Sequence, residues 1–199
     1  MRNPIRLKNL RLRFLPLYLV GLTILVLHPP RKDWLLSGLP LIGVGALLRS
    51  WGAGHLVKNQ ALTLTGPYAH VRHPLYVGTI LIATGFALAI SGWLSLAALA
   101  VIWPWFAFHY FPRKEAVESD RLEARYGERF ARYRAAVPAL WPRLRAWVDA
   151  EDTEAHEPES AGQGAAGRWA FARYSENNEL GTLLAVCAGL LVFWLRASA

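Results

Sequence analysis

From Leu75 to Phe111 the chain carries no Asp, Glu, Lys or Arg, and Ser91-Gly92 is the one turn signal near the middle of that run. A stretch of this length is too long for one buried helix. It suits two membrane spans of roughly 20 residues each, at 1.5 Å rise per residue, joined by a short turn. Composition agrees: 54% of the 199 residues are apolar, nine are Trp and only 18% are charged, against about 25% charged in an ordinary soluble domain. The net charge of +8 is not a nucleic-acid footprint. Residues 1–74 hold ten basic residues and one acidic residue, Asp33, whereas 112–175 balances eleven against eleven. A nucleic-acid binder gathers its charge into a stripe; here the charge flanks apolar runs. The chain reads as an integral membrane protein.

The expected fold is all-α, a single domain over 1–199 built as a bundle of about five spans, near 14–28, 34–56, 75–90, 93–111 and 180–195. The basic start MRNPIRLKNLRLR precedes an apolar run with no small-residue cleavage site, so the first span is read as uncleaved. Trp34, Trp51, Trp93, Trp103, Trp105 and Trp194 fall mostly near span ends, as an aromatic belt would. Pro104 predicts a kink in the fourth span. Basic residues in the N-terminal tail, in the second-to-third loop and in 112–175 put all three on the cytoplasmic side. With an Ala/Arg/Leu-rich composition, the expected location is a bacterial inner membrane. Cys187, the one cysteine, lies in an apolar run and is expected to be a buried, inert thiol.

Val117, Leu122, Tyr126, Phe130, Tyr133 and Val137 recur at spacings of 5, 4, 4, 3 and 4, which predicts a cytoplasmic amphipathic helix bent near Gly127. Residues 149–167 read as a solvated linker, and 168–178 as a short helix entering the last span. The linker contains Gly162-Gln-Gly164-Ala-Ala-Gly167, a GxGxxG match with neither the preceding strand nor the following helix that pyrophosphate binding needs.

The loop from His55 to Tyr76 concentrates Lys58, Tyr68, His70, Arg72 and His73 between two spans. Pro67 and Pro74 hold their preceding residues extended, so the loop should be shaped and rigid. Polar groups at such a depth mark a functional site. His70 and His73 are not read as metal ligands, because Pro74 interrupts their helical spacing and no partner stands at ligand spacing. Beyond the fourth span come Arg113, Lys114, Glu115 and Glu118. No nucleophile stands beside a general base, so no catalytic acid, base or nucleophile is assigned. The spans carry no evident charge pair.

Together, Gly66-Pro67-Tyr68, Val71-Arg72-His73-Pro74-Leu75-Tyr76-Val77-Gly78, Glu118 and Tyr126-Gly127-Glu128-Arg129-Phe130-Ala131-Arg132-Tyr133, with Val137-Pro138 and Pro142, resemble the isoprenylcysteine carboxyl methyltransferase and phospholipid methyltransferase family. Two long motifs, at 55–78 and 113–142, stand in order around a two-span hairpin. The resemblance implies S-adenosylmethionine as cofactor. By motif position it implies Gln60, Ala61, Leu62 and Thr63 along the cofactor, with Tyr68, His73, Pro74, Leu75 and Tyr76 around it. Glu118 would be a cofactor-binding glutamate, and His55 and Lys58 would form a His-x-x-Lys element near the cofactor's carboxylate. Arg113 and Lys114 would face the substrate. Ser119 stands where the family often has a second acidic residue.

The implied activity is methyl transfer to a lipid-like or prenylated amphiphile through a carboxylate, amine or hydroxyl. The implied partners are that small molecule and the membrane, with no nucleic acid and no required protein partner. A membrane reductase of the sterol-reductase type is the alternative enzyme, and a non-catalytic membrane scaffold the alternative without chemistry. Binding of S-adenosylhomocysteine, of NADPH, or of neither separates the three.

Overall fold

The computed structural model describes residues 27–28, 30–57, 61–90, 92–149 and 168–198. The described elements are α1 (Lys32–His55), a 3-10 turn (Gly66–Ala69), α2 (Pro74–Ala89), α3 (Gly92–Pro104), a π-helical turn (Trp105–Tyr110), α4 (Phe111–Ala136), α5 (Phe171–Glu176) and α6 (Glu179–Ser198). Among the described residues there is no strand. Among the described residues, three helical stretches, Lys32–His55, Gly92–Ala136 and Glu179–Ser198, are long and apolar enough to cross a membrane. The 16 residues of α2 span roughly 24 Å. Apart from Leu27 and His28, the span expected at 14–28 lies outside the described residues, as does most of the linker with its GxGxxG match.

The tightest packing is α1 against α2, and glycine spacing explains it. Gly38, Gly45 and Gly52 repeat every seven residues on α1, and Gly78 and Gly85 do so on α2. A Cβ on Gly38 would lie 2.2 Å from the Gly85 carbonyl oxygen, and one on Gly45 would lie 2.6 Å from that of Gly78. The two backbones therefore touch, as small residues permit where no hydrophobic effect drives helices together. Both positions are buried, and so are Leu35 and Ile42 beside them.

Gly92, with φ +61, turns the chain from the hairpin bend into α3. Pro104 keeps helical angles and leads into the π-helical turn. That wider turn accommodates the missing N–H groups of Pro104 and Pro112 without breaking the rod. The fourth span and the first part of the amphipathic helix, expected as separate elements, thus run on as one helical rod from Gly92 as far as Gly127, within Gly92–Ala136. The bend expected at Gly127 is present, at φ 49 and ψ −128. Phe130, Tyr133 and Val137 form the buried core beyond it, with Leu122 and Tyr126 partly covered. Val117 is the exception: its five-residue spacing from Leu122 carries it off the stripe, and it is 70% exposed.

A second departure concerns charge within the spans. Arg49 of α1 donates Nε and Nη2 to the two carboxylate oxygens of Glu179, at 2.7 and 2.8 Å. The same guanidinium donates to the Leu75 carbonyl and to Thr79. One buried ion pair thus ties α1, α2 and α6 together at their common end, where the sequence showed no pair. Nearby, α5 closes over the end of α1. Asn177 Nδ2 donates to the carbonyls of Ala53 and Leu56 (2.8 and 3.0 Å), and Trp169 Nε1 donates to that of Ser50. The two Asn177 bonds satisfy acceptors that every helix C-terminus leaves open. Cys187 is exposed on α6 rather than buried, because its helix presents mostly an outward apolar surface.

Candidate functional site

The loop between α1 and α2 is held by a second irregular segment, 137–149, that leaves α4 and runs back alongside it. Arg72 and His73 donate their backbone N–H groups to the carbonyls of Pro138 and Ala139 (2.9 and 3.1 Å). In return, Arg143 and Trp147 donate theirs to His70 and Ala69, both at 2.9 Å. The Tyr133 hydroxyl donates to the Tyr68 carbonyl at 2.7 Å. Burial pushes the ionisation of both tyrosines well above the ordinary phenol range, so both hydroxyls stay protonated. Gly66, at φ +61, turns the loop where a side chain would strike the His55 ring. The two motifs, some forty residues apart, are therefore one structure.

Where they meet, a charged cluster forms. Arg72 donates Nη1 to Glu115 Oε1 at 2.6 Å and Nε to the Val137 carbonyl at 2.9 Å. His73 Nε2 pairs with Glu115 Oε2, and His73 Nδ1 lies 3.9 Å from Glu118 Oε2. Tyr76 stacks on the His73 ring, centroids 5.3 Å apart, and its hydroxyl donates to Glu118 at 3.4 Å. Phe111 closes the edge of the same ring. Glu115, beyond the apolar part of its helix, is opposed in its ionisation by burial. The hydrogen bonds and charges of His73 and Arg72 outweigh that and hold its carboxyl at about 2. Ser119, fully buried one turn on, donates to the same carboxylate.

A cavity of about 180 Å³ opens beside this cluster. Of the residues assigned to the cofactor by motif position, Ala61, Leu62, Thr63, Tyr68, His73 and Glu118 line it. Tyr76 reaches it through Glu118. His55 stands behind the wall, buried, with Nδ1 3.4 Å from the Thr65 hydroxyl. Pro74 is buried, and Leu75 contributes its carbonyl to Arg49. Lys58 and Gln60 lie outside the described residues. Arg113 and Lys114 are exposed on α4 and do not line the cavity; Arg113 donates to His109 instead.

The sequence reading missed part of the wall. Arg72, Ser119, Arg121, Leu122, Arg125, Tyr126, Phe130 and Tyr133 line the cavity as well. The signal for four of them was present: counted on from Glu118, Arg121, Leu122, Arg125 and Tyr126 recur at spacings of 3, 1, 3 and 1, which is one helical face. Glu115 was given no role by motif position. It is the acceptor that joins Arg72 to His73. Among the described residues, no group of three or more His, Cys, Asp or Glu is arranged to hold a metal ion.

Comparison with known proteins places this region. Residues 49–129 match the phospholipid methyltransferase family. The chain is 38% identical over 109 residues to the cobalt-zinc-cadmium resistance protein CzcN of Cupriavidus metallidurans, covering 54% of this chain and 47% of that protein. It is 28% identical over 85 residues to the protein-S-isoprenylcysteine O-methyltransferase of Schizosaccharomyces pombe, covering 43% of this chain and 34% of that one. The chain thus spans less than half the length of these curated relatives. No solved structure matches.

Proposed function

For a chain whose residues 49–129 match the phospholipid methyltransferase family, we propose methyl transfer from S-adenosylmethionine to a lipid-like or prenylated amphiphile at the membrane surface. The observation that carries this reading is the cavity itself: it lies at the ends of apolar helices, yet aromatic faces, a carboxylate and arginines converge on it. That lining fits the donor. Tyr68, Tyr126, Phe130 and Tyr133 offer ring faces to a sulfonium cation. Glu118 suits an ammonium group, and the arginines suit a carboxylate. Bound there, the sulfonium would supply an electrophilic methyl group for in-line displacement.

The chain's own part is positioning. Alignment of two reactants supplies on the order of 7–11 kcal/mol of barrier reduction. The paired loop segments give the rigidity this needs, because Arg72 and His73 are fixed through both backbone and side chain. Ala61, Leu62 and Thr63 would flank the donor, with Lys58 and Gln60 of the same loop and His55 behind it. Pro74 and Leu75 set the start of α2, which aims Tyr76 at Glu118. Arg113 and Lys114, outside the cavity, would meet the acceptor at the bilayer surface. The bundle in this reading has five spans, with the N-terminus, the cofactor loop and 112–175 on the cytoplasmic side of a bacterial inner membrane.

Titration of the detergent-solubilised protein with S-adenosylhomocysteine and, separately, NADPH tests the chemistry. Saturable binding of the first and none of the second is expected, with binding weakened in Glu118→Gln. Binding of NADPH alone would move the site to the reductase class. For topology, a cysteine at Ser160 in a Cys187→Ala background should label only from the cytoplasmic side.

A further inference from the structure

The segment 137–149 has two sides that differ in kind. Its inner side is fixed. Val137 is buried in the aromatic core, and Trp147 packs on Tyr133 with centroids 5.3 Å apart. Asp149, 3% exposed, accepts from Arg129 at 3.1 Å and Arg132 at 3.5 Å. Its outer side is apolar and open: Trp141 is 79% exposed, Leu144 98% and Val148 69%. Between Val137 and Val148 the only charged residues are Arg143 and Arg145, and both are basic. A rigid segment that presents a tryptophan, a leucine and arginines together, with no acidic residue among them, has the chemistry of a membrane interface.

The depth of the segment agrees with its composition. Its backbone pairs with Ala69–His73, which runs directly into the first turn of α2. The carbonyl of Arg143 lies 2.9 Å from His70 Nδ1, and the His70 ring lies 6.4 Å from the ring of Trp51. Trp51 is itself 45% exposed on the last turns of the apolar helix α1. The strap therefore sits level with the point where α1 ends and α2 begins, which is where hydrocarbon gives way to headgroups.

We propose that the 137–148 strap docks on the lipid surface, with Trp141 and Leu144 seated at the headgroup–acyl boundary and Arg145 facing anionic headgroups. The occupant is the bilayer, because basic residues complement an anionic leaflet and because the strap is continuous in level with helices already in the membrane. Docking would hold Arg72 and His73 against the bilayer through the backbone pairing. This inference stands on the spans and does not depend on the chemistry of the cavity.

The test uses the full chain with Cys187→Ala and Leu144→Cys, carrying an environment-sensitive fluorophore at position 144. The protein is reconstituted in phosphatidylcholine vesicles with and without phosphatidylglycerol. Phe108→Cys, 85% exposed in the apolar π-helical turn that follows α3, is the lipid-facing reference. The expected result is blue-shifted emission, quenched by nitroxide-bearing lipids as at position 108 and little affected by aqueous iodide. The lipid quenching should be stronger with phosphatidylglycerol, and Arg145→Gln should remove that increment. Quenching by iodide without quenching by lipid nitroxides would overturn the proposal. So would a blue shift without lipid quenching, because the cover would then be protein: another part of the chain or a second copy.

Discussion

Replacing Glu115 by Gln neutralises the acceptor at the centre of the site while keeping its shape. The side chains of Arg72 and Glu115 are 11% and 16% exposed, and their hydrogen bond is 2.6 Å long. In the variant Arg72 would keep the Val137 carbonyl but lose its counter-charge, and His73 would face an amide. Losing a charge-assisted bond costs roughly 1.5–3 kcal/mol, and stranding one partner of a fully buried pair about 3–5 kcal/mol. Since this pair retains some water contact, about 2–3 kcal/mol is expected. Glu118 is a useful contrast. Its side chain is 38% exposed and its described polar contacts are long, at 3.4 Å to Tyr76 and 3.9 Å to His73. Glu118→Gln should cost under about 1 kcal/mol of stability, within the range of an exposed pair.

Denaturant unfolding of both variants in one detergent decides this, and pH gives a second reading. The carboxyl of Glu115 is held at about 2 against an ordinary 4.5. A depressed folded-state value contributes stability that is fully present above about 4.5 and is lost as pH falls through about 2. The gap between wild type and Glu115→Gln should therefore narrow over that window and be level above it. Equal, small losses in the two variants at neutral pH would refute the structural role given to Glu115.

Three further outcomes follow from the packing. Gly45→Ala should destabilise by about 1–3 kcal/mol, because its Cβ would press on the Gly78 backbone; Gly43→Ala, with nothing within 4 Å, should be neutral or up to about 1 kcal/mol stabilising in the same thermal assay. Asn177→Ala should open the last turn of α1, read as faster amide hydrogen exchange there, since Ala53 and Leu56 lose their donor. Arg49→Gln should loosen α6 from α1 and α2, read as earlier proteolysis or melting, whereas Arg31→Gln, in an exposed pair at 3.7 Å, should change little.

What the sequence disclosed, and what it withheld, divides along a physical line. Features set by neighbours a few residues apart were legible. The charge-free run fixed the hairpin, a glycine interrupting an amphipathic stripe gave the bend at Gly127, and two prolines marked a shaped loop. Features set by partners far apart in the chain were not. The Arg49–Glu179 pair joins residues 130 apart, and Arg72 meets Glu115 across a two-helix hairpin. Neither side chain carries a local sign of its partner. The α1–α2 contact was an intermediate case: its seven-residue glycine repeat was on the page, but it acquires meaning only when a second helix carries the same repeat in the opposite direction.

Glu115 and Glu118 show most clearly what motif position alone leaves out of the geometry. Three residues apart on α4, they stand on one helical face about one turn apart. A ring inserted against that face meets one carboxylate through each nitrogen, and His73 does so, with Nε2 toward Glu115 and Nδ1 toward Glu118. Motif position singled out Glu118 and gave Glu115 no role. The geometry separates their tasks. The more buried glutamate, bound to Arg72, holds the histidine in place; the half-exposed one lines the cavity and is free to trade its long contacts for a ligand. The first should therefore govern stability and its acid dependence, and the second should govern binding.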